Sequence, residues 1–123
     1  MKSVVVIPAR YKSNRFPGKP LVHLLNKPMI LWVAELSAQA VGKENVYIAT
    51  DDNRISKVVI AAGFNAIMTS DQCLTGTDRL AEAANKIPAD VYINVQGDEP
   101  LVNPKDIVNI IKAKETNYDE IIN

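Results

Sequence analysis

Four cations, Arg10, Lys12, Arg15 and Lys19, fall within the thirteen residues from Pro8 to Pro20, together with Gly18 and three prolines. The apolar run Val4, Val5, Val6 and Ile7 leads directly into them. Guanidinium forks, a compact ammonium and free backbone N–H groups are the donors that hold oxyanions, and this density of them suits a polyphosphate. Arg10, Arg15 and Lys19 are placed to reach phosphate oxygens, while Lys12 reads as a bystander. Taken one at a time, each of these cations is equally an ordinary solvated charge; bounded by Pro and Gly behind an apolar strand, they read as a site. The spacing matches neither G-x-x-x-x-G-K-[ST] nor G-x-G-x-x-G, so the loop is neither a Walker A loop nor a dinucleotide turn.

Two more polar clusters follow apolar runs. Gln96-Gly97-Asp98-Glu99-Pro100 comes after Val91–Val95. A carboxylate there can ligate Mg²⁺, which takes one or two protein carboxylates plus phosphate oxygens and water. Gly-Asp-Glu-Pro is equally common turn chemistry, and both readings stand. Charge balance adds to the first, since a polyphosphate on the basic loop brings a divalent cation with it. Gln96 can hydrogen-bond a sugar or base, or simply close its strand. The other cluster is Thr69–Gln72 continuing through Thr75–Arg79. Gly76 and the Thr77 backbone open a helix, where an anion or carbonyl is favoured. Asp78 also fits as the helix's acidic first turn. Arg79 opposes the helix dipole there, which assigns it a purpose elsewhere. Asp51-Asp52 reads as a strand end and helix cap, Trp32 and Tyr92 as core or near-core.

The elements that must position these clusters alternate along the chain. Strands are expected at Ser3–Pro8, Asn45–Thr50, Phe64–Thr69 and Asp90–Val95. Between them lie helices. The first opens at Pro28, carries Met29, Val33, Leu36 and Ala40 on one face, and ends at Gly42. The second follows Asp51-Asp52 with Ile55, Val58, Val59 and Ala62 inward, and ends at Gly63. The third runs from about Thr77 to Lys86 with Leu80, Ala83 and Ala84 inward. A last helix is capped by Asn103, begins with Pro104 and presents Ile107, Ile110 and Ile111. Alternation of this kind implies a mostly parallel sheet with right-handed crossovers, a three-layer α/β/α arrangement. Parallel strands bring all three clusters to one edge. The strand-like Ile121-Ile122 near the end of the sequence implies that residues 1–123 are part of a larger fold.

Bulk properties limit the function classes. With 14 basic and 14 acidic residues the net charge is zero, so a general affinity for nucleic acid or anionic membrane is not indicated. The cationic loop is a local concentration on a neutral background. One cysteine, Cys73, allows no internal disulfide and no multi-cysteine zinc site, and one histidine, His23, makes a His-based metal site unexpected. No apolar run approaches a membrane span and no signal-peptide pattern is present, so the expected compartment is the cytoplasm.

The segment Val6-Ile-Pro8-Ala9-Arg10-Tyr-Lys-Ser13-Asn-Arg15-Phe-Pro-Gly18-Lys19-Pro20-Leu21 resembles the signature of the 3-deoxy-manno-octulosonate (Kdo) cytidylyltransferases. Lys27-Pro-Met-Ile30, Ala49-Thr-Asp-Asp52, Met68-Thr-Ser70, Gly76-Thr-Asp-Arg-Leu-Ala-Glu82 and Asn94-Val-Gln-Gly-Asp-Glu-Pro-Leu101 follow in that family's order. The resemblance covers residues 3 to about 111. It implies a nucleotide-diphospho-sugar-transferase-like fold, incomplete here because it matches the family's N-terminal half. It also implies transfer of CMP from CTP to the anomeric hydroxyl of Kdo, with release of diphosphate, for lipopolysaccharide synthesis. By the same resemblance Arg10, Arg15 and Lys19 hold the triphosphate, and Lys19, Arg10 and Asp98 are the catalytic set. Pro8, Ala9, Ser13, Thr77, Asp78 and Arg79 line the nucleotide, Gln96 the sugar, and Asp98 ligates Mg²⁺. Partners would be CTP, an acidic sugar and a second copy in a homodimer. Three other readings stand beside this one: a nucleotide-binding fragment without turnover, a cytidylyltransferase for another acidic sugar, and an interaction domain using an open sheet edge.

Overall fold

The computed structural model describes residues 2–11, 18–70, 76–95 and 104–116, with the backbone alone for Lys19, Thr77 and residues 114–116. Strand β1 (Ser3–Ala9) leads into a one-turn 3-10 helix at Lys19–Leu21 and a small antiparallel hairpin of β2 (His23–Leu24) and β3 (Lys27–Pro28). Then come α1 (Met29–Val41), β4 (Val46–Thr50), α2 (Asn53–Ala61), β5 (Asn65–Met68), α3 (Gly76–Ala84), β6 (Val91–Asn94) and α4 (Pro104–Thr116). The four long strands form one parallel sheet in the order β5-β4-β1-β6.

β1 lies in the middle because its side chains suit burial on both sides. Val5, Ile7 and Ala9 face one core with Ile30, Val33 and Ala34 of α1, Ile55 and Val59 of α2, and Ile107 of α4. Val4 and Val6 face the other with Ala49, Ala83 and Ile87. The sheet is therefore sandwiched, with α1, α2 and α4 on one side and α3 on the other, as expected for an α/β/α fold. Right-handed crossovers account for the split: the chain steps outward from β1 to β4 to β5 on one face. It then returns across β1 to β6, which puts α3 on the opposite face.

α1 differs from expectation in its inward face. Ile30, Val33, Ala34 and Ser37 are buried, while Met29, Leu36 and Ala40 are only half-buried. The helix is wedged between sheet and α4, so its apolar stripe is broad and centred one residue later than the spacing suggested. Pro28 stands just before the helix, as its N-cap, and pairs with His23 in the hairpin. The hairpin was not expected. Its turn places Leu25 (φ 52°) and Asn26 (φ 68°) in the left-handed region, and the Trp32 indole donates to the Leu24 carbonyl at 2.6 Å. Lys27 sits over the Trp32 ring, 4.3 Å from its centroid. Trp32 is thus a half-buried clamp, while the Tyr92 hydroxyl, also half-buried, donates to the Ile87 carbonyl. The expected cap Asn103 and the segment after Thr116 lie outside the described residues.

Asp52 caps α2. Its carboxylate accepts from the Arg54 backbone N–H at 2.8 Å, and from the Arg54 side chain at 3.0 Å (Nε) and 2.7 Å (Nη2). The Arg54 side chain holds the Asp52 carboxyl below the usual aspartate range. A carboxyl depressed in the folded state adds stability above its unfolded value, and loses it as the pH falls through the folded value. Asp52→Ala should therefore cost about 1 kcal/mol at neutral pH, the scale of one N-cap. Urea unfolding at a series of pH values checks this. The gap between variant and parent should persist down to the ordinary aspartate range and close below it.

Candidate active site at the carboxyl edge of the sheet

Every strand of the main sheet ends at the same edge, and the reversal of strand order falls between β1 and β6. In open parallel sheets the helices leave on opposite faces at such a point, and a crevice opens outside the strand ends. β6 pairs with β1 only as far as Asn94 opposite Val6, followed by a bond from the Val95 N–H to the Val6 carbonyl at 3.2 Å. β4 pairs further, to Thr50 opposite Ala9. Pro8 and Ala9 thus reach past the paired part of β6, on the side where the strand order reverses. Proline suits this place because its nitrogen has no ladder bond to lose.

Arg10 follows β1 immediately and is exposed. Tyr11 and Gly18 then close the base of the cationic loop. The Gly18 N–H donates to the Tyr11 carbonyl at 2.5 Å, and the Leu21 N–H to the Gly18 carbonyl at 2.9 Å. Gly18 has φ +76°, and a β-carbon there would meet the Tyr11 ring at 3.0 Å, so both backbone and space require glycine. The Arg54 guanidinium stacks on the Tyr11 ring, 3.2 Å from its centroid. Asp52, Arg54, Tyr11 and Gly18 therefore tie the start of α2 to both ends of the loop. Lys19 enters the 3-10 turn directly after this closure. Ser13 and Arg15 lie outside the described residues.

The second cluster is organised by Arg79, whose side chain is 1% exposed although it sits in the first turn of α3. Its Nη1 donates to the Thr69 hydroxyl and reaches the Ser70 carbonyl at 3.4 Å; its Nη2 faces an Asp51 carboxylate oxygen at 3.6 Å. Thr69 is itself buried and its N–H donates to the Thr50 carbonyl at 2.9 Å. Ser70's N–H donates to Glu82 at 2.8 Å. Arg79 thus joins the ends of β4 and β5 to the start of α3. Asp78 is exposed in that same first turn, where its charge also suits the helix dipole. Thr77 is placed by its backbone at the helix opening.

Gln96 and Asp98 lie outside the described residues, but the chain enters their segment from β6, the strand beside β1. The structure thus brings Pro8, Ala9, Arg10, Lys19, Thr77, Asp78 and Arg79 to one edge. Residue types alone missed the Tyr11–Arg54 stack, which joins positions far apart in the chain. The Arg79 network left one trace in the sequence, a cation where a helix disfavours it.

A family model described as Cytidylyltransferase matches residues 4–122. The 3-deoxy-manno-octulosonate cytidylyltransferase of Escherichia coli is 50% identical over 112 residues, 91% of this chain and 46% of that protein. The 8-amino-3,8-dideoxy-manno-octulosonate cytidylyltransferase of Shewanella baltica is 44% identical over 123 residues, 98% of this chain and 50% of that protein. The solved structure of CMP:2-keto-3-deoxy-manno-octonic acid synthetase complexed with CTP superposes with a TM-score of 0.92 at 46% identity, covering 97% of this chain and 49% of that one. The chain spans about half the length of the curated relatives it matches. A family model that runs through β1, the cationic loop and every later element settles the assignment: this chain belongs to the cytidylyltransferase family.

Proposed function

We propose that residues 1–123 form the nucleotide-binding α/β domain of a sugar nucleotidyltransferase. The reaction is transfer of CMP from CTP to the anomeric hydroxyl of Kdo, with release of diphosphate, in the synthesis of a lipopolysaccharide precursor. The reading rests on the reversal of strand order at β1 and β6, which sends the Arg10–Lys19 segment and the Gln96–Pro100 segment out of neighbouring strands at one edge. Arg10, Arg15 and Lys19 take the triphosphate. Ser13 and the Pro8–Ala9 backbone lie along the nucleotide, Thr77 and Asp78 form its wall with Arg79 behind them, and Gln96 meets the sugar. The reaction is in-line attack of a sugar hydroxyl on the α-phosphorus, which demands alignment and charge neutralisation more than covalent chemistry by the protein. Lys19 and the arginines stabilise the departing diphosphate.

Mg²⁺ fits the donors this edge offers. Asp51 already faces Arg79, and among the described residues no group of three His, Cys, Asp or Glu is placed to hold a metal. Mg²⁺ needs only one or two carboxylates beside substrate phosphates, and Asp98 is the first carboxylate after β6 in the chain. When bound at Asp98 it would polarise the α-phosphate and ease ionisation of the attacking hydroxyl. The same reading puts the protein in the cytoplasm as a homodimer, with CTP and an acidic sugar as substrates. No helix among the described residues is long and apolar enough to cross a membrane. The 44% identity to a protein named for an 8-amino sugar favours that sugar as the second candidate substrate.

Calorimetric titration with CTP in Mg²⁺ should give saturable binding that weakens when EDTA removes the metal; absence of heat would defeat the nucleotide reading. Labelled CTP incubated with Kdo should yield labelled CMP-sugar and diphosphate, and running the 8-amino sugar in parallel decides the substrate. In that assay Lys19→Ala should lose about 2–4 kcal/mol of transition-state stabilisation, and an unchanged rate would exclude Lys19 from the site. Gly18→Ala forces a side chain into the left-handed region against Tyr11, and should cost about 1–3 kcal/mol of stability and weaken CTP binding. Thermal unfolding and the same titration measure both effects.

A further inference from the structure

We infer that Arg79 is a positioning residue, which sets the wall of the nucleotide site by locking the ends of β4 and β5 to the first turn of α3, and makes no contact with the nucleotide itself. The inference rests on the nucleotide reading above and assigns Arg79 a different task from Arg10 or Lys19.

Three observations carry it. Arg79 is among the largest fully buried side chains of the described structure, at 1% exposure. A cation in the first turn of a helix faces the positive end of the dipole, so its placement works against the local field. Its guanidinium is also already engaged. Nη1 serves the Thr69 hydroxyl and the Ser70 carbonyl, and Nη2 faces Asp51 at 3.6 Å, an ion pair too long for a hydrogen bond. Among the described residues Nε has no hydrogen-bond partner, and it is buried with the rest. A phosphate would have to displace Thr69 or Asp51 to reach this group.

The geometry shows what the arrangement accomplishes. A planar fork can hold several acceptors in fixed directions, which an ammonium cannot. Here the fork holds a buried hydroxyl and a carbonyl at the end of β5 and a carboxylate at the end of β4. The residue that carries it is two positions after Thr77 and one after Asp78. Moving the fork therefore moves the wall. Removing one partner of a fully buried ion pair is costly, but Asp51 keeps 23% side-chain exposure, so water can take up its carboxylate once the arginine is replaced. Local ordering and global stability are therefore read by separate measurements at this residue.

The experiment compares Arg79→Met, Arg79→Lys and Thr69→Val with the parent chain. In the nucleotide-free protein, amide exchange of Thr69 and Ser70 in Arg79→Met should rise at least about tenfold, as local opening becomes easier, with β1 and β4 unchanged. CTP·Mg²⁺ affinity should fall by about ten- to a hundredfold, the scale of a small misplacement, while the thermal midpoint falls by less than about 4 °C. Arg79→Lys should recover part of the affinity. The salt dependence of binding should keep its slope, because no phosphate contact is removed. Unchanged exchange in both Arg79→Met and Thr69→Val would overturn the inference. So would an affinity loss accompanied by a flattened salt dependence, which marks a direct phosphate contact. Should Arg79→Met fail to fold, Thr69→Val decides through the same two readouts. Should the parent chain take up no CTP, the nucleotide reading fails on its own, and the exchange measurement still judges Arg79.

Discussion

The handedness of the parallel crossovers is the constraint from which the rest of this molecule follows. β1 is buried on both faces, with Val4 through Ile7 at 0% exposure, so no chemistry can be mounted along it. Polar groups are displaced to the strand's ends. Because all four strands of the main sheet run the same way, their displaced groups gather at one edge. Two outward steps followed by a return across β1 then place α3 opposite α1 and α2, so the helices diverge from the strand ends between β1 and β6. The cationic loop leaves from β1 at that point, and the Gln96–Pro100 segment follows its neighbour β6.

Charge at this edge is divided by a pair of adjacent aspartates. Asp51 turns to Arg79, and Asp52 to Arg54 and the first turn of α2. Two of the edge's cations are thereby committed to internal bonds, whereas Arg10 stands exposed at the end of β1. The division matters because a neutral chain has no general field to draw an anion. Under the proposed function, attraction comes from exposed cations such as Arg10, and the committed ones order the strand ends around them.

Periodicity in the sequence reveals those elements whose burial is one-sided or complete. β1, β4, β5 and β6, and the helices between them, fall within a residue or two of expectation. The inward face of α1 is displaced because α4 covers its flank, a contact between elements far apart in the chain. The β2–β3 hairpin has two residues per strand, too few to show alternation, and its turn uses Leu25 and Asn26 at positive φ where glycine would have signalled it. In the candidate site, residue types were informative where they violate a local preference, as Arg79 does against the helix dipole. They were silent for Tyr11 and Arg54, because a stacked pair leaves no spacing to read. The assignment of Ser13, Arg15, Gln96 and Asp98 to the site rests on motif and on the strands they follow in the chain.

The closure at Tyr11 and Gly18 bears on how a loop of cations can serve as a site at all. Four like charges within ten residues repel one another, and gathering them around an anion costs conformational entropy as well. A hydrogen bond from Gly18 to Tyr11 fixes both ends of residues 12–17 before any ligand arrives, so part of that cost is already met in the fold. The ring of Tyr11 extends the effect, because Gly18 packs on it and Arg54 covers it. Arg54 is in turn held by Asp52, the residue that starts α2. The placement of Lys19 is thus coupled to the start of a helix packed on the sheet. Under the proposed function, affinity for the triphosphate would depend on that rigid connection as much as on the number of positive charges.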